Sequence, residues 1–340
     1  MTNVASPPAT GAPHVQVTAK RRRSAAPGSQ LGPPIALVVL FVAFSIAADG
    51  FLTVGNLQTL LDQAAIPLIV AMGLTLVILT GSIDLSVEGV MAGCCLTFTL
   101  LGLNSQNGLD LGYWAIPIAV AVGTAFGFFA GWVHVTFKLP SFMVTLGTWS
   151  IGLGLATVLY GSDTPKMLDE RLLGLTAGTI LGIPKSLIIA AIVVALAWAV
   201  SRYTRLGRYA YGIGGDEAVT ALSGVNVSRY KIGVFAFAGT CFGIAGVLGA
   251  TRLGVGDVAV GQGYLFLGIS AVVLGGTLLS GGRGGMLQSL IGVAILVVLG
   301  NGLILIGASV YWQKGIQAAV IIVAVTLTGW SSRRRLRVIK

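Results

Sequence analysis

Apolar residues run along this chain in long blocks, with neither the alternation of a half-buried strand nor the one-sided stripe of a surface helix. A helix needs about 20 apolar residues to cross a hydrocarbon core. Measured against that length, the chain offers ten runs, centred near residues 42, 70, 95, 125, 150, 193, 241, 272, 296 and 320. Pro67 lies inside the second run and Gly275-Gly276 interrupts the eighth. Such breaks predict discontinuous helices beside a protein-lined cavity. The fold class expected is all-α, a polytopic membrane protein of about ten transmembrane helices, or eight if the broken runs re-enter the face they left. Residues 33–331 make up the membrane domain. Five runs precede the segment Gly161 to Pro184 and five follow it, an arrangement that predicts two inverted five-helix halves. No clear sequence identity links those halves.

Composition agrees with the pattern. Of 340 residues, 55% are hydrophobic and 9% charged, far below the quarter that a water-soluble surface carries. Glycine is abundant, at 49 residues, and Gly123, Gly127 and Gly131 recur every four positions, as do Gly239 and Gly243. That spacing suits close helix packing inside one subunit, where burial alone does not drive association. The formal charge of +10 is concentrated at Lys20 to Arg23, in a central loop at 202–231, and at Arg333 to Lys340. With ten spans and both termini cytoplasmic, about 16 basic residues fall inside and about 5 outside, as positive-inside topology requires. The charge therefore orients the chain in a membrane and does not mark a nucleic-acid partner. Residues 1–32 read as a disordered cytoplasmic tail and 332–340 as a basic cytoplasmic one. The run from Ile35 to Ala48 is expected to be a retained first span and not a cleaved signal. Cys94, Cys95 and Cys241 all lie in apolar runs and read as packing residues.

Catalytic constellations are scarce. The histidines are His14 in the tail and His134 near the end of a span, with no serine placed against the latter to make a nucleophile. A GxxxxGK[ST] loop is absent, so ATP chemistry needs another chain. No metal or cofactor is called for. The polar run Thr80 to Glu88 suggests a helix start, with Asp84 or Ser86 capping it, while Asp84 and Glu88, four apart, can face one gate near a membrane edge. Asn301, between Gly300 and Gly302, is an amide at membrane depth that must find hydrogen bonds. Asp84, Glu88 and Asn301 are thus the pathway or gate candidates. In the central loop, Gly214-Gly215-Asp216-Glu217 leads into Ala218 to Leu222 and closes at Ser223-Gly224, the signature of a short capped helix. Such a helix would be either a docking knob or part of a solvated loop.

Several ordered segments resemble the permease subunits of sugar importers driven by ATP-binding cassettes, of the ribose, xylose and arabinose type. They are Gly73 to Gly81 running into Ile83-Asp84-Leu85-Ser86, Leu139 to Gly147, Gly214 to Val227, Ala271 to Thr277 with Gly281 to Gly284, and Asn301-Gly302-Leu303. The resemblance covers residues 35–330. It implies a permease homodimer, a cytoplasmic ABC ATPase, and a periplasmic or secreted sugar-binding protein. It also implies that Gly214, Gly215, Asp216, Glu217, Ala218, Leu222 and Gly224 couple the permease to the ATPase. Two departures stand out: Ser82 and Glu88 occupy positions where such permeases more often carry glycine, and Gly224 falls one residue late. The expected function is uptake of a monosaccharide or polyol through the inner membrane, with ATP hydrolysis on the partner. The alternative, a proton- or sodium-coupled secondary transporter, would want several acids or histidines at the midplane.

Overall fold

A computed structural model describes residues 31–309, 311–313, 315–320 and 322. Of the tail expected at 1–32 all but Leu31 and Gly32, and the whole of that expected at 332–340, lie outside the described residues, and the tenth run is only partly inside them. The first helix, α1 (Gly32–Ala47), opens on prolines, whose fixed φ and missing N–H suit a first turn. It is followed by α2 (Val54–Leu79), whose N-cap Thr53 accepts from the Asn56 amide at 3.4 Å. Then come α3 (Val87–Leu101), a 3-10 turn (Gly112–Trp114), α4 (Ala115–Thr136) and α5 (Ser141–Tyr160). A short α6 (Glu170–Leu173) and a hairpin of β1 (Thr179–Ile180) with β2 (Ile183–Pro184) lead into α7 (Lys185–Tyr203). After these follow α8 (Arg205–Gly215), α9 (Glu217–Leu222), α10 (Val227–Leu253), α11 (Tyr264–Leu274) and α12 (Met286–Leu305). Residues 311–313 and 315–320 are also helical.

Among the described residues six helices, α2, α4, α5, α7, α10 and α12, are long and apolar enough to cross a membrane, while α1, α3 and α11 are shorter apolar helices. The chain is a multi-pass α-helical membrane protein. Its centre is α10, packed against α4, α2 and α3. The glycine spacing explains how closely they approach. A Cβ on Gly127 would overlap the Phe235 carbonyl, one on Gly239 would overlap that of Gly123, and one on Gly131 would sit 2.9 Å from the Ile232 Cα. The four-residue repeats therefore pack within one subunit, as expected. Large apolar side chains point outward on the peripheral helices, among them Phe128 and Trp132 on α4, Ile151 on α5 and Leu196 on α7. In water such a surface would associate, but in lipid it is the solvent-facing side.

The expected breaks are partly corrected. Pro67 does not interrupt α2, which runs unbroken for 26 residues and is buried from Ala65 to Leu79. Packing on all sides holds the helix through the missing amide. The eighth run does break, since α11 stops at Leu274 and Gly276 takes φ +105°. A break the hydropathy pattern hid lies in the third run. There the chain is non-helical from Gly81 to Ser86 before α3 begins. At 15 residues α3 is about 22 Å long and α11, at 11, about 16 Å, both short of a hydrocarbon core of about 30 Å.

Candidate transport site

The central loop is mostly helix. Thr204 caps α8 by accepting from the Gly207 amide, and Asp216 caps α9, its Oδ1 accepting from the Val219 amide at 3.0 Å. The short helix expected from Asp216 to Gly224 is present as Glu217–Leu222, and Gly224 ends it with φ +81°, a conformation glycine adopts without strain. Ala218 and Leu222 are exposed, the latter at 88%. Glu217 is tied back to Lys231 at the start of α10 through a 2.8 Å ion pair. A six-residue helix with no buried side chain contributes nothing to the core.

Gly214 joins this knob to the bundle. An added Cβ there would overlap the Leu79 carbonyl at the end of α2 and lie 2.5 Å from the Gly282 nitrogen. The Gly282 amide donates to the Leu79 carbonyl at 2.9 Å, and Gly281, with φ +81°, abuts Gly81. Tyr211 on α8 donates to the Gly284 carbonyl at 3.0 Å. The end of α8 therefore rests on the last carbonyl of α2 and on the non-helical stretch 275–285, whose Gly281 in turn abuts Gly81. Neighbouring Gly215 is exposed, and a Cβ on it would meet nothing within 4 Å. Gly81, Gly281 and Gly282 were not singled out as site residues from the sequence. Their role comes from contacts between segments about 130 to 200 positions apart, which a hydropathy pattern does not carry.

The stretch 80–86 is non-helical, and two of its amides are satisfied by hydroxyls on α5. Ser141 Oγ accepts from the Ile83 amide and Thr145 Oγ1 from the Leu85 amide, both at 3.0 Å. Asp84 is 1% exposed; its Oδ1 accepts from the Ser86 amide at 2.8 Å and from the Ser86 hydroxyl at 2.6 Å. Ser86 precedes α3 without capping it by its side chain. Asp84 Oδ2 has no partner among the described residues. Glu88, half-buried in the first turn of α3, accepts from the Gly263 amide at 2.9 Å through Oε1. It lies about 20 Å along the helix axis from Leu101, at the opposite end of α3. Asn301 stands apart from both acids. It is 4% exposed and exchanges two amide bonds with Asn56 in the first turn of α2, at 2.9 and 3.1 Å. The pair closes on itself and clamps α12 to α2. Asn56 carries no signal in the sequence beyond being polar beside an apolar run.

A bundle with an apolar exterior, polar breaks in its interior and an exposed helical knob resting on those breaks defines a membrane transport component. The chain belongs to the family of permease components described for the branched-chain amino acid transport system, whose pattern matches residues 56–325. It is the translocation subunit of a transport system and not an enzyme. It is 39% identical to the ribose import permease protein RbsC of Escherichia coli (strain K12), over 86% of this chain and 91% of that protein. It is 30% identical to the D-allose transport system permease protein AlsC of the same strain, over 86% and 89% of the two chains. The xylose transport system permease protein XylH of Haemophilus influenzae is also 30% identical, over 86% and 93%. No solved structure matches it.

Proposed function

We propose that this chain is the inner-membrane permease subunit of an ATP-driven importer for a monosaccharide or related polyol. The observation that carries the reading is similarity along nearly the whole length of permeases named for ribose, allose and xylose import. Both termini are cytoplasmic, two copies form the pathway, and a secreted sugar-binding protein delivers substrate from outside. The knob at α9 sits in a cleft of the cytoplasmic ATPase. Closure of the ATPase pushes α9 and α8; Gly214 delivers that push to Leu79–Gly81 and Gly281–Gly282, and the strands 80–86 and 275–285 shift between two arrangements. Alternating access then follows from ATP binding on the partner, which favours one arrangement over the other.

The test is reconstitution of the permease with its ATPase and binding protein in vesicles. Uptake of ribose, allose or xylose should require ATP and survive collapse of the ion gradients. Uptake driven by an imposed proton gradient without ATP would overturn the reading. Reporter fusions at both ends, cytoplasmic in each case, check the topology.

A further inference from the structure

The two half-unwound spans are counterparts. α3 follows the 26-residue α2, and α11 follows the 27-residue α10. Those long helices are antiparallel, since Asp62 pairs with Arg252 at 2.8 Å while Gly73 packs against Cys241. Just past each helix stands a glycine with positive φ, Gly81 at +77° and Gly254 at +70°. From these glycines, Gly81-Ser82-Ile83-Asp84-Leu85-Ser86-Val87 and Gly254-Val255-Gly256-Asp257-Val258-Ala259-Val260 keep glycine, aspartate and valine in step. The aspartates make the same local bond, to the amide two residues on, at 2.8 Å for Asp84 and 2.9 Å for Asp257. The match extends over seven residues, too short for the halves to show it without the geometry.

The two spans meet where their helical parts begin. Gly261 lies against the Glu88 backbone, with its missing Cβ only 2.7 Å from the Glu88 Cα, and Glu88 Oε1 takes the Gly263 amide. Broken spans in corresponding positions of inverted halves are where membrane transporters hold their cargo. Two polar side chains stand open at this crossing. Gln262 is exposed and Glu88 half-buried, and neither Glu88 Oε2 nor the Gln262 amide finds a partner among the described residues. One turn along α11, Phe266 is 75% exposed. A carboxylate and an amide at this depth are too costly to face lipid, so they face water or cargo.

We propose that Glu88 and Gln262 form the point at which the permease itself contacts the passing sugar. The carboxylate accepts from sugar hydroxyls, the amide donates and accepts, and Phe266 offers an apolar face to the C–H side, the usual mixture of a small-molecule site. The proposal rests on the monosaccharide reading above.

The test places a cysteine at Gln262. The native Cys94, Cys95 and Cys241 are all buried, so the unaltered chain serves as the blank. In assembled vesicles, Gln262→Cys should react with a charged, membrane-impermeant thiosulfonate, and ribose-loaded binding protein with ATP should slow that reaction at least several-fold. Ala259→Cys, exposed on the same strand, provides a second probe should the first variant assemble poorly. Leu196→Cys on the apolar face of α7 should react only with a lipid-soluble maleimide. Reaction at both Gln262→Cys and Ala259→Cys with the lipid-soluble reagent alone, or aqueous reaction unaffected by any of the three sugars, would overturn the proposal. Sugar uptake by the unaltered complex in the same vesicles keeps the two readings separable. Without that uptake the importer function fails; with it, an unprotected site fails alone.

Discussion

At Gly214 a single methyl group would test the junction between knob and bundle. The added Cβ of Gly214→Ala would stand 2.5 Å from the Gly282 nitrogen and overlap the Leu79 carbonyl. Non-bonded heavy atoms rest near 3.5 Å, so the end of α8 must retreat by about 1 Å or more. No side chain can turn aside, because both obstacles are backbone atoms. Overpacking of this kind costs about 1–3 kcal/mol. Part of that cost falls on the 2.9 Å bond from the Gly282 amide to the Leu79 carbonyl, which spans the same contact. Gly215 supplies the control one residue away, since it is exposed with open space where its Cβ would be. Gly215→Ala should be neutral or stabilise α8 by up to about 1 kcal/mol, because alanine loses less freedom in a helix. Both variants should be measured for abundance in the membrane, for stimulation of the partner ATPase by loaded binding protein, and for uptake. Gly214→Ala should insert and bind the ATPase but transport slowly for each ATP consumed, while Gly215→Ala behaves like the unaltered chain. Equal coupling in the two variants would refute the idea that force passes through Gly214.

Three further outcomes follow from single contacts. Asn301→Leu should lower the thermal stability of the detergent-solubilised protein by about 1–3 kcal/mol, because it leaves Asn56 Oδ1 without its donor while Asn56 Nδ2 keeps the Phe51 carbonyl, whereas Asn56→Leu with Asn301→Leu should cost less than the two single changes added together. Glu217→Lys turns an ion pair with Lys231 into a repulsion and Gly224→Val forces a β-branched residue to φ +81°, so each should give a normally inserted permease that fails to stimulate its ATPase. The third concerns pH. In the segment between α5 and α7, Arg171 beside Asp169 at 2.8 Å holds that carboxyl below its ordinary range. A carboxylate depressed in the folded state stabilises above its unfolded pKa of about 3.9 and loses that contribution as pH falls through the folded value. Amide exchange around α6 should therefore be flat from pH 8 to 5, after correction for intrinsic rates, and rise only below about pH 4; Asp169→Asn should show the raised exchange at every pH.

The legible part of this molecule was the part governed by burial. Among the described residues nine helices lie where long apolar runs predicted spans, because a backbone in lipid must satisfy itself and has few other ways to do so. The glycine repeats of α4 and α10 announced their packing for a similar reason: a missing side chain every four residues leaves one open face. The knob at α9 was also readable, from Asp216 as cap and Gly224 as terminator. Breaks were less so. Pro67 looks like an interruption yet packing carries α2 through it, while Thr80 to Glu88 looks like a helix start yet stays non-helical as far as Ser86, with Ser82, Asp84 and Ser86 buried. A local signal reports what the backbone prefers, and here neighbours on other helices decide what it does. Asn301 makes the same point from a single residue: its need for hydrogen bonds was evident, but Asn56, 245 positions away, could be found only in space.

The packing also separates stiff from yielding parts, and the separation bears on how a push at α9 is used. α4 and α10 meet backbone to backbone at Gly123, Gly127 and Gly239, where no side chain intervenes to change rotamer. Close-packed contacts of this kind transmit displacement with little give. The strand 80–86 is held differently, by hydroxyls of Ser141 and Thr145 and by one carboxylate oxygen of Asp84. Its counterpart 254–263 is held at its start by backbone bonds, from the Met167 amide to the Gly254 carbonyl at 3.0 Å and from the Gly256 amide to the Pro165 carbonyl at 2.8 Å, and at its far end by Glu88. Single side-chain bonds can be exchanged without unwinding a helix, whereas the glycine interface between α4 and α10 cannot shear without overlapping carbonyls. Under the proposed coupling, a displacement entering at Gly214 is taken up by the non-helical stretch 80–86 and not by the glycine interface. Gly214 lies against the Leu79 carbonyl, from which residues 80–86 lead into α3, and Glu88 in the first turn of α3 holds the Gly263 amide. One short path therefore runs from the knob to both breaks, and it is built from the parts of the molecule least able to resist.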